Sequence, residues 1–310
     1  MDKIKKLLKN NTLFMTLYRN FMRMDMAILT TISPVYASKY IYKKKFKKSL
    51  DLNNPKTYNE KLMWLKLFWR EPLKSKCADK YEVREYIKVC GEEQCLNDLY
   101  DVYDDVKEID WDKLPNEFVL KVTNTCGANI ICDDKNKLDK KETLKKLDIW
   151  MKDKYYLNAA EIHYKNIKPR IICEKYLKPE SGLLPIDYKV YCFNGEPKAI
   201  MICTGRETGN NKFYLCDLNG KILPFNIFGK LAIKEGQKYI KLPTCSKEMF
   251  DISKKLSAQF PYVRMDYYDY NGKVIFGEMT FTPAACLSTN VSDEGEKIMG
   301  EWIKLPKKVI

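Results

Sequence analysis

The sequence predicts an α+β fold, helices first and then a mostly antiparallel β body, and three observations carry that expectation. A capping box at Thr57–Glu60 opens a block of helical periodicity. From Asp187 onward, strand-like runs follow one another with Asn-Gly pairs at 194–195, 219–220 and 271–272 between them. No segment repeats and no low-complexity linker interrupts the chain, so a solenoid is excluded. At 310 residues, with 45% hydrophobic and 13% aromatic composition, there is enough apolar material for two or three packed subdomains.

Taken in order, the leader carries Ile4, Leu7 and Leu8, then Phe14, Leu17, Tyr18 and Phe21 at helical spacing, with a basic opposite side. YKKKFKKS (42–49) adds five lysines. Such a segment suits an anionic membrane surface, or equally a helix packed on the body with a solvated lysine side. A helix is expected from Thr57 to Trp69 and a second within ADKYEVREYIKVCG, stopped by Gly91. EFVLKV, IIC and PRIICEKYL read as strands, with a charged helix in DKKETLKKLDIWMKDKYYL before the last of them. YKVYCFNG, EPKAIMICTG and KFYLCDLNG continue the β pattern, and SKEMFDISKKLSAQF supplies one more helix before a final hairpin. The expected division is a basic amphipathic leader (1–50), an N-terminal helical subdomain (51–105), a central subdomain (106–180) and a C-terminal subdomain (181–310).

Charge and composition exclude several classes. The net charge is +14, and residues 1–50 hold twelve Lys or Arg against two Asp, so the body is near neutral. No aromatic–basic interleaving in the body points to nucleic acid. Eleven cysteines, an odd number without a CxxC pair, imply a reduced, cytoplasmic protein. The apolar piece MAILTTISPVYA is too short to span a bilayer, and no signal peptide is expected. His163 is the only histidine and has no paired ligand nearby, which sets aside Ser-His-Asp, Cys-His and HExxH chemistry and leaves a surface or packing role. Any chemistry must run on carboxylates, lysines, arginines and a bound metal.

The hairpin VRMDYYDYNGKVIFGEMTFTP (263–283) places Arg264, Asp266 and Glu278 among apolar and aromatic residues. A two-residue Asn-Gly turn would pair Tyr270 with Lys273 and put Asp266 and Glu278 on opposite faces. A three-residue loop, with Gly272 left-handed, would gather Arg264, Asp266, Glu278 and Thr280 on one face and turn Met265, Tyr267, Gly277 and Met279 to the other. The second register is the expectation, because it leaves an apolar reverse face to pack. Two carboxylates brought together call for a cation, and Mg²⁺ takes one or two carboxylates while keeping phosphates or waters. A structural salt bridge among Arg264, Asp266 and Glu278 is the alternative. Upstream, Lys121 closes a strand before the small polar loop around Gly127, whose backbone N–H groups suit phosphate. Glu174 ends a strand leading into Tyr176 and Leu177, and Lys189 sits mid-strand.

These segments in order, NPKTYNEKLMWLK, ADKYEVREY, FVLKVTNTCGANI, IICEKYL, DYKVYCFNGEPK and VRMDYY…VIFGEMTFTP, resemble the ATP-grasp superfamily, and within it the TupA-like branch linked to polysaccharide and teichuronopeptide biosynthesis. The resemblance covers roughly Asn54 to Pro283. It implies an ATP-grasp fold with the nucleotide held between two β-rich subdomains. It further implies that Lys80 and Lys121 hold the ATP phosphates beneath the 123–129 loop with Asn124 and Gly127. Glu174, Tyr176 and Leu177 would form the adenine and ribose hinge, and Lys189 a further nucleotide or catalytic contact. Asp266, Glu278 and Thr280 would ligate Mg²⁺, with Arg264 stabilising the transferring phosphoryl group. Thr280 stands where many members carry Asn, which implies a weaker ligand.

The implied reaction joins a carboxylate to an amine through an acyl phosphate, with ATP and Mg²⁺ as cofactors. The implied partners are an acidic saccharide or lipid-linked glycan precursor and an amino acid, at the inner face of the plasma membrane. Arg206 is the candidate for the acidic substrate, or else an exposed loop arginine. A glycosyltransferase and a degenerate nucleotide-binding scaffold are the competing readings.

Overall fold

A computed structural model of the chain describes residues 24–178, 185–205, 211–225 and 236–307. Helix α1 is described over 24–32. Ser33, in extended conformation, ends it and caps α2 (Pro34–Phe46) by accepting from the Tyr36 N–H. The expected capping box opens α3 (Tyr58–Phe68), with Thr57 and Glu60 exchanging side-chain to backbone hydrogen bonds. The helix expected within residues 78–91 is shorter than the sequence pattern suggested. Asp79 breaks it from α4 (Pro72–Ala78) by taking the Tyr81 N–H on its side chain, and α5 runs only Val83–Val89 before Gly91 turns left-handed.

Two antiparallel sheets follow. The first has the order β1-β4-β2-β3, from β1 (Leu99–Tyr103), β2 (Phe118–Val122), β3 (Asn129–Cys132) and β4 (Ile171–Lys175). Helix α6 (Lys140–Lys152) covers one face, packing Leu147 against Phe118, Leu120 and Val122. The second has the order β7-β6-β5-β8-β9, from β5 (Asp187–Phe193), β6 (Glu196–Thr204), β7 (Lys212–Cys216), β8 (Tyr262–Tyr270) and β9 (Lys273–Thr280). Helix α7 (Ser246–Ser257) lies on its apolar face, where Ser253 donates to Tyr267 Oη at 3.0 Å. Helix α8 (Asp293–Trp302) closes on α3 so tightly that a Cβ on Gly300 would lie 2.3 Å from the Lys56 carbonyl. Helices α3–α5 and the second sheet share one core, whereas the first sheet has its own. All eleven cysteines are free thiols. Among the described residues no helix is long and apolar enough to cross a membrane.

The β8–β9 hairpin corrects the expected turn. Asn271 and Gly272 both take positive φ, and Tyr270 pairs with Lys273, so the loop has two residues. A regular ladder would then set Gly277 opposite Asp266 and send Glu278 to the apolar face. Instead the register shifts between Asp266 and Tyr267, and Asp266 pairs with Glu278 and Arg264 with Thr280. The additional residue is a bulge at Gly277 rather than a third loop residue. Glycine suits the position because a Cβ there would sit 3.0 Å from the Asp266 carbonyl oxygen. The expected grouping of side chains is present, by a different mechanism. His163, expected at the surface or in packing, is buried beside Tyr164 and Phe281, and burial holds its pKa well below the usual imidazole value.

Candidate functional site

Alternation along three neighbouring strands builds one polar face. On β5, Asp187 and Lys189 point the same way, and Lys189 pairs across the ladder with Asp266 of β8. Lys189 Nζ lies 2.5 Å from Asp266 Oδ2 and 2.6 Å from Asp187 Oδ2. Arg264 takes the other side of the same carboxylate, donating from Nε to Oδ1 at 2.6 Å and from Nη2 to Oδ2 at 2.7 Å. It also donates to Thr280 Oγ1 at 3.1 Å, and the Thr280 hydroxyl donates to Glu278 Oε1 at 3.1 Å. Asp266 is fully enclosed. Burial alone would raise its pKa, but Arg264 and Lys189 outweigh burial and hold it below the usual carboxylate range.

The first sheet supplies the facing group. Lys121 on β2 and Glu174 on β4 are diagonal neighbours across the ladder, and Lys121 Nζ donates to Glu174 Oε2 at 2.6 Å. Arg84 of α5 holds the other oxygen, with Nη1 3.1 Å from Oε1. Glu174 therefore braces Lys121 and does not stand open toward a base. Burial lowers the Lys121 pKa, but Glu174, Tyr268 and Glu278 more than compensate, so the net shift is upward. A cavity of about 110 Å³ lies beside this pair, lined by Val119, Lys121, Ile131, Tyr176, Leu177 and Tyr268. Tyr268 comes from β8, so the two sheets meet at this cavity.

Lys80 follows the α4 C-cap and donates to the Thr125 carbonyl of the β2–β3 loop at 2.5 Å. Burial lowers its pKa, while Glu278 and Cys126 act in the opposite sense. Because its bond goes to a neutral carbonyl, its charge is not consumed by a carboxylate there. The loop is anchored at its base, where the Thr123 hydroxyl donates to the Lys168 carbonyl and accepts from the Arg170 N–H. At its tip Gly127 has φ of 75°, and the volume a Cβ would fill is open. Asn124 Nδ2 reaches the Asp153 carbonyl at 3.4 Å, and its buried Oδ1 has no hydrogen-bond partner among the described residues. The same loop borders a cavity of about 570 Å³ shared with Trp150, Tyr155 and Asn158.

Glu278 acts to raise the pKa of both Lys80 and Lys121, which sets its carboxylate within electrostatic reach of two lysines carried by different elements. Of the predicted residues, Lys121 and Glu174 lie on the first sheet, with Asn124 and Gly127 in its β2–β3 loop and Tyr176 and Leu177 just beyond β4; Lys189, Arg264, Asp266, Glu278 and Thr280 share one face of the second sheet; and Lys80 reaches the β2–β3 loop from the turn between α4 and α5. Arg206 lies outside the described residues. Sequence reasoning missed Asp187, Arg84 and Tyr268. Asp187 and Tyr268 were detectable, standing two residues from Lys189 and from Asp266 on the same strand faces. Arg84 carries no local signal, since its role depends on Glu174, ninety residues away.

The donor set fits Mg²⁺ through Glu278 first, since only its Oε1 is engaged by Thr280 and Arg264, which leaves Oε2 for a cation. Asp266, directly opposite, has both oxygens held by Arg264 and Lys189, and would ligate Mg²⁺ only by exchanging one of those contacts for the metal. Among the described residues there is no cluster of three or more His, Cys, Asp or Glu that would form an all-protein cage. Mg²⁺ rarely uses such a cage and completes its shell with phosphates and waters. Beyond β9 the chain enters Pro283–Cys286, where Ala284, Ala285 and Cys286 all take left-handed backbone conformations. Each costs roughly 1–2 kcal/mol in a non-glycine residue. Next to this turn, Thr282 donates to the buried Glu161 at 2.6 Å.

A family model described as TupA-like ATPgrasp matches residues 60–304. No curated protein matches the sequence. Among solved structures, D-alanine–D-alanine ligase from Bacillus anthracis complexed with ATP is similar at 14% identity and a TM-score of 0.39, over 79% of this chain and 62% of that one. The same enzyme from Helicobacter pylori is similar at 14% identity and a TM-score of 0.44, over 74% of this chain and 61% of that one. An L-amino acid ligase from Bacillus licheniformis is similar at 13% identity and a TM-score of 0.43, over 74% of this chain and 49% of that one. The chain spans less than two thirds of each of these proteins.

Proposed function

The chain belongs to the TupA-like ATP-grasp family, and from that premise we propose that it is an ATP-dependent carboxylate–amine ligase. The observation that supports this reading best is the Asp266–Glu278 pair, set side by side by the Gly277 bulge with Arg264 and Lys189 in contact. Five cations (Lys80, Arg84, Lys121, Lys189 and Arg264) stand among four carboxylates (Glu174, Asp187, Asp266 and Glu278). Such a site is poised for a polyanion that arrives with a divalent cation.

In this reading Tyr176, Leu177, Val119 and Tyr268 receive the base, while Lys80, Lys121 and the 123–129 loop hold the phosphates. Asp266, Glu278 and Thr280 would hold Mg²⁺, which would supply charge neutralisation at the phosphates. Arg264 stabilises the phosphoryl group in transit, and Asp187 keeps Lys189 directed at the site. An oxygen of the substrate carboxylate bonds to the γ-phosphorus as the bond to the bridging oxygen of ADP breaks. An amine then bonds to the acyl carbon, inorganic phosphate leaves, and the amine loses a proton. Catalysis of this kind is positioning plus electrostatics, and needs no histidine.

The acceptor is a uronic-acid carboxyl of a surface glycan or its lipid-linked precursor, the amine belongs to an amino acid, and the work is done at the inner face of the plasma membrane. Arg206 is assigned to the acidic substrate. The test is incubation with Mg-ATP, a panel of uronic acids and hydroxylamine, following ADP and hydroxamate together. Acceptor-dependent ADP with equal hydroxamate is the expected result. ADP without hydroxamate would indicate a kinase, and consumption of a nucleotide sugar without ATP turnover would indicate a glycosyltransferase.

A further inference from the structure

Helices α1 and α2 are fixed to the body by one side only. Met26 and Ala37 are buried against Ala160, and the Thr30 hydroxyl donates to the Leu157 carbonyl at 3.2 Å. The outward side is not polar. It carries Met24, Ile28 and Ile32 on α1 and Tyr36 and Tyr40 on α2, which are 36% to 76% exposed. Spacing by four places them on one side of each helix. They are five of the eleven exposed large hydrophobic side chains among the described residues, gathered within seventeen positions, whereas the other six are scattered along the chain. Scattered apolar side chains need no explanation, but a run of them at four-residue spacing on successive helices does.

The surroundings of this stripe indicate what covers it. At about 100° per residue, Lys39 and Lys43 flank Tyr36 and Tyr40 on one side and Lys44 on the other, and all three lysines are exposed. Lys44 Nζ lies 5.8 Å from the centre of the Tyr40 ring. Lys45 and Lys47 extend the positive region while Lys48 pairs with Asp293 of α8 at 3.5 Å, so residues 24–50 carry six lysines against one acid of their own, Asp25, and one from the body. Association of two copies through this face would bring lysine against lysine, which disfavours a second copy as the occupant. An anionic bilayer satisfies both halves of the surface. The apolar side chains enter the boundary between headgroups and acyl chains, the tyrosines keep their hydroxyls at headgroup level, and the lysines reach back to the anionic phosphates.

We propose that the outward face of α1 and α2 is a docking surface for an anionic membrane, lying in the plane of the interface with Met24, Ile28, Ile32, Tyr36 and Tyr40 inserted. This inference stands on the exposed face and is independent of the ligase chemistry.

The test is flotation of the full chain with phosphatidylglycerol–phosphatidylcholine vesicles and with pure phosphatidylcholine vesicles, at low and high salt. Wild type is expected to float with the anionic vesicles and to bind at least about tenfold more weakly to neutral ones or in high salt. Ile28→Asp/Ile32→Asp and Lys43→Glu/Lys44→Glu should each weaken binding at least about tenfold, with unchanged melting temperature because all four positions are exposed. Equal flotation of Ile28→Asp/Ile32→Asp and wild type would overturn the proposal. So would an absence of flotation, with or without a dimer that Ile32→Asp dissociates.

Discussion

Replacing Asp266 by Asn removes one charge from the centre of the polar face and changes almost nothing in volume. Asp266 is 4% exposed and accepts three charge-assisted hydrogen bonds, two from Arg264 and one from Lys189. Asn keeps one acceptor oxygen but turns an amide toward a cation. Removing one partner of a buried ion pair typically costs about 3–5 kcal/mol. Here Asp187 still holds Lys189 at 2.6 Å, and Glu278 remains 3.6 Å from Arg264, so the lower end of that range, about 3 kcal/mol, is expected. Urea unfolding near neutral pH measures it as a shift of midpoint at constant slope. The pH dependence gives a second check. The folded pKa of Asp266 lies below its unfolded value, so its contribution is present above the unfolded value, about 3.9, and is lost as pH falls through the depressed one. The gap between wild type and variant should therefore close in acid. A loss below about 1 kcal/mol near neutral pH would refute the view of Asp266 as the hub of this network.

Lys80→Met should weaken ATP binding at least about tenfold in titration calorimetry, the low end for a charge-assisted bond to phosphate; an unchanged affinity would remove Lys80 from the site. Gly277→Ala should destabilise by about 1–2 kcal/mol, because the new Cβ meets backbone at the bulge, and should reduce turnover by displacing Glu278 from Asp266; wild-type midpoint and turnover would contradict this. Glu296 on α8 is pushed up to about 7, first by burial and then by Glu60 and Asp293. A raised carboxylate contributes stability that is present below its unfolded value and is lost as pH rises through the folded one, at up to about 1.4 kcal/mol per unit. Glu296→Gln should flatten the fall in urea midpoint across that window, and identical slopes in both proteins would contradict the assignment.

The features most legible in the sequence are those with short-range causes. Thr57 and Glu60 mark the start of α3 because each satisfies a backbone N–H of the other's turn, a contact that lies within four residues. Asn-Gly at 271–272 marks the hairpin for the same reason. The Gly277 bulge is a different case. A three-residue loop and a two-residue loop followed by a bulge give the same facing of Asp266 and Glu278, so side-chain pattern alone cannot separate them. Glycine inside an apolar strand was the available clue. Arg84 and the first-sheet pairing of Lys121 with Glu174 depend on contacts fifty to ninety residues apart. The left-handed run Ala284–Cys286 has no glycine or asparagine to announce it. In the leader, periodicity indicates that a helix has two sides but not which of them the body covers; Ala160 and Leu157 decide that for α1 and α2.

The central claim is that a substrate carboxylate is activated as an acyl phosphate at the Asp266–Glu278 face. The most direct measurement supplies a uronic acid labelled with ¹⁸O in its carboxyl group, together with Mg-ATP and the amine, and analyses the released phosphate by mass spectrometry. Transfer of one labelled oxygen to phosphate for each amide formed, abolished by Asp266→Asn, is the predicted result. Amide formation with unlabelled phosphate, or no ATP-dependent amide with any uronic acid, would contradict it.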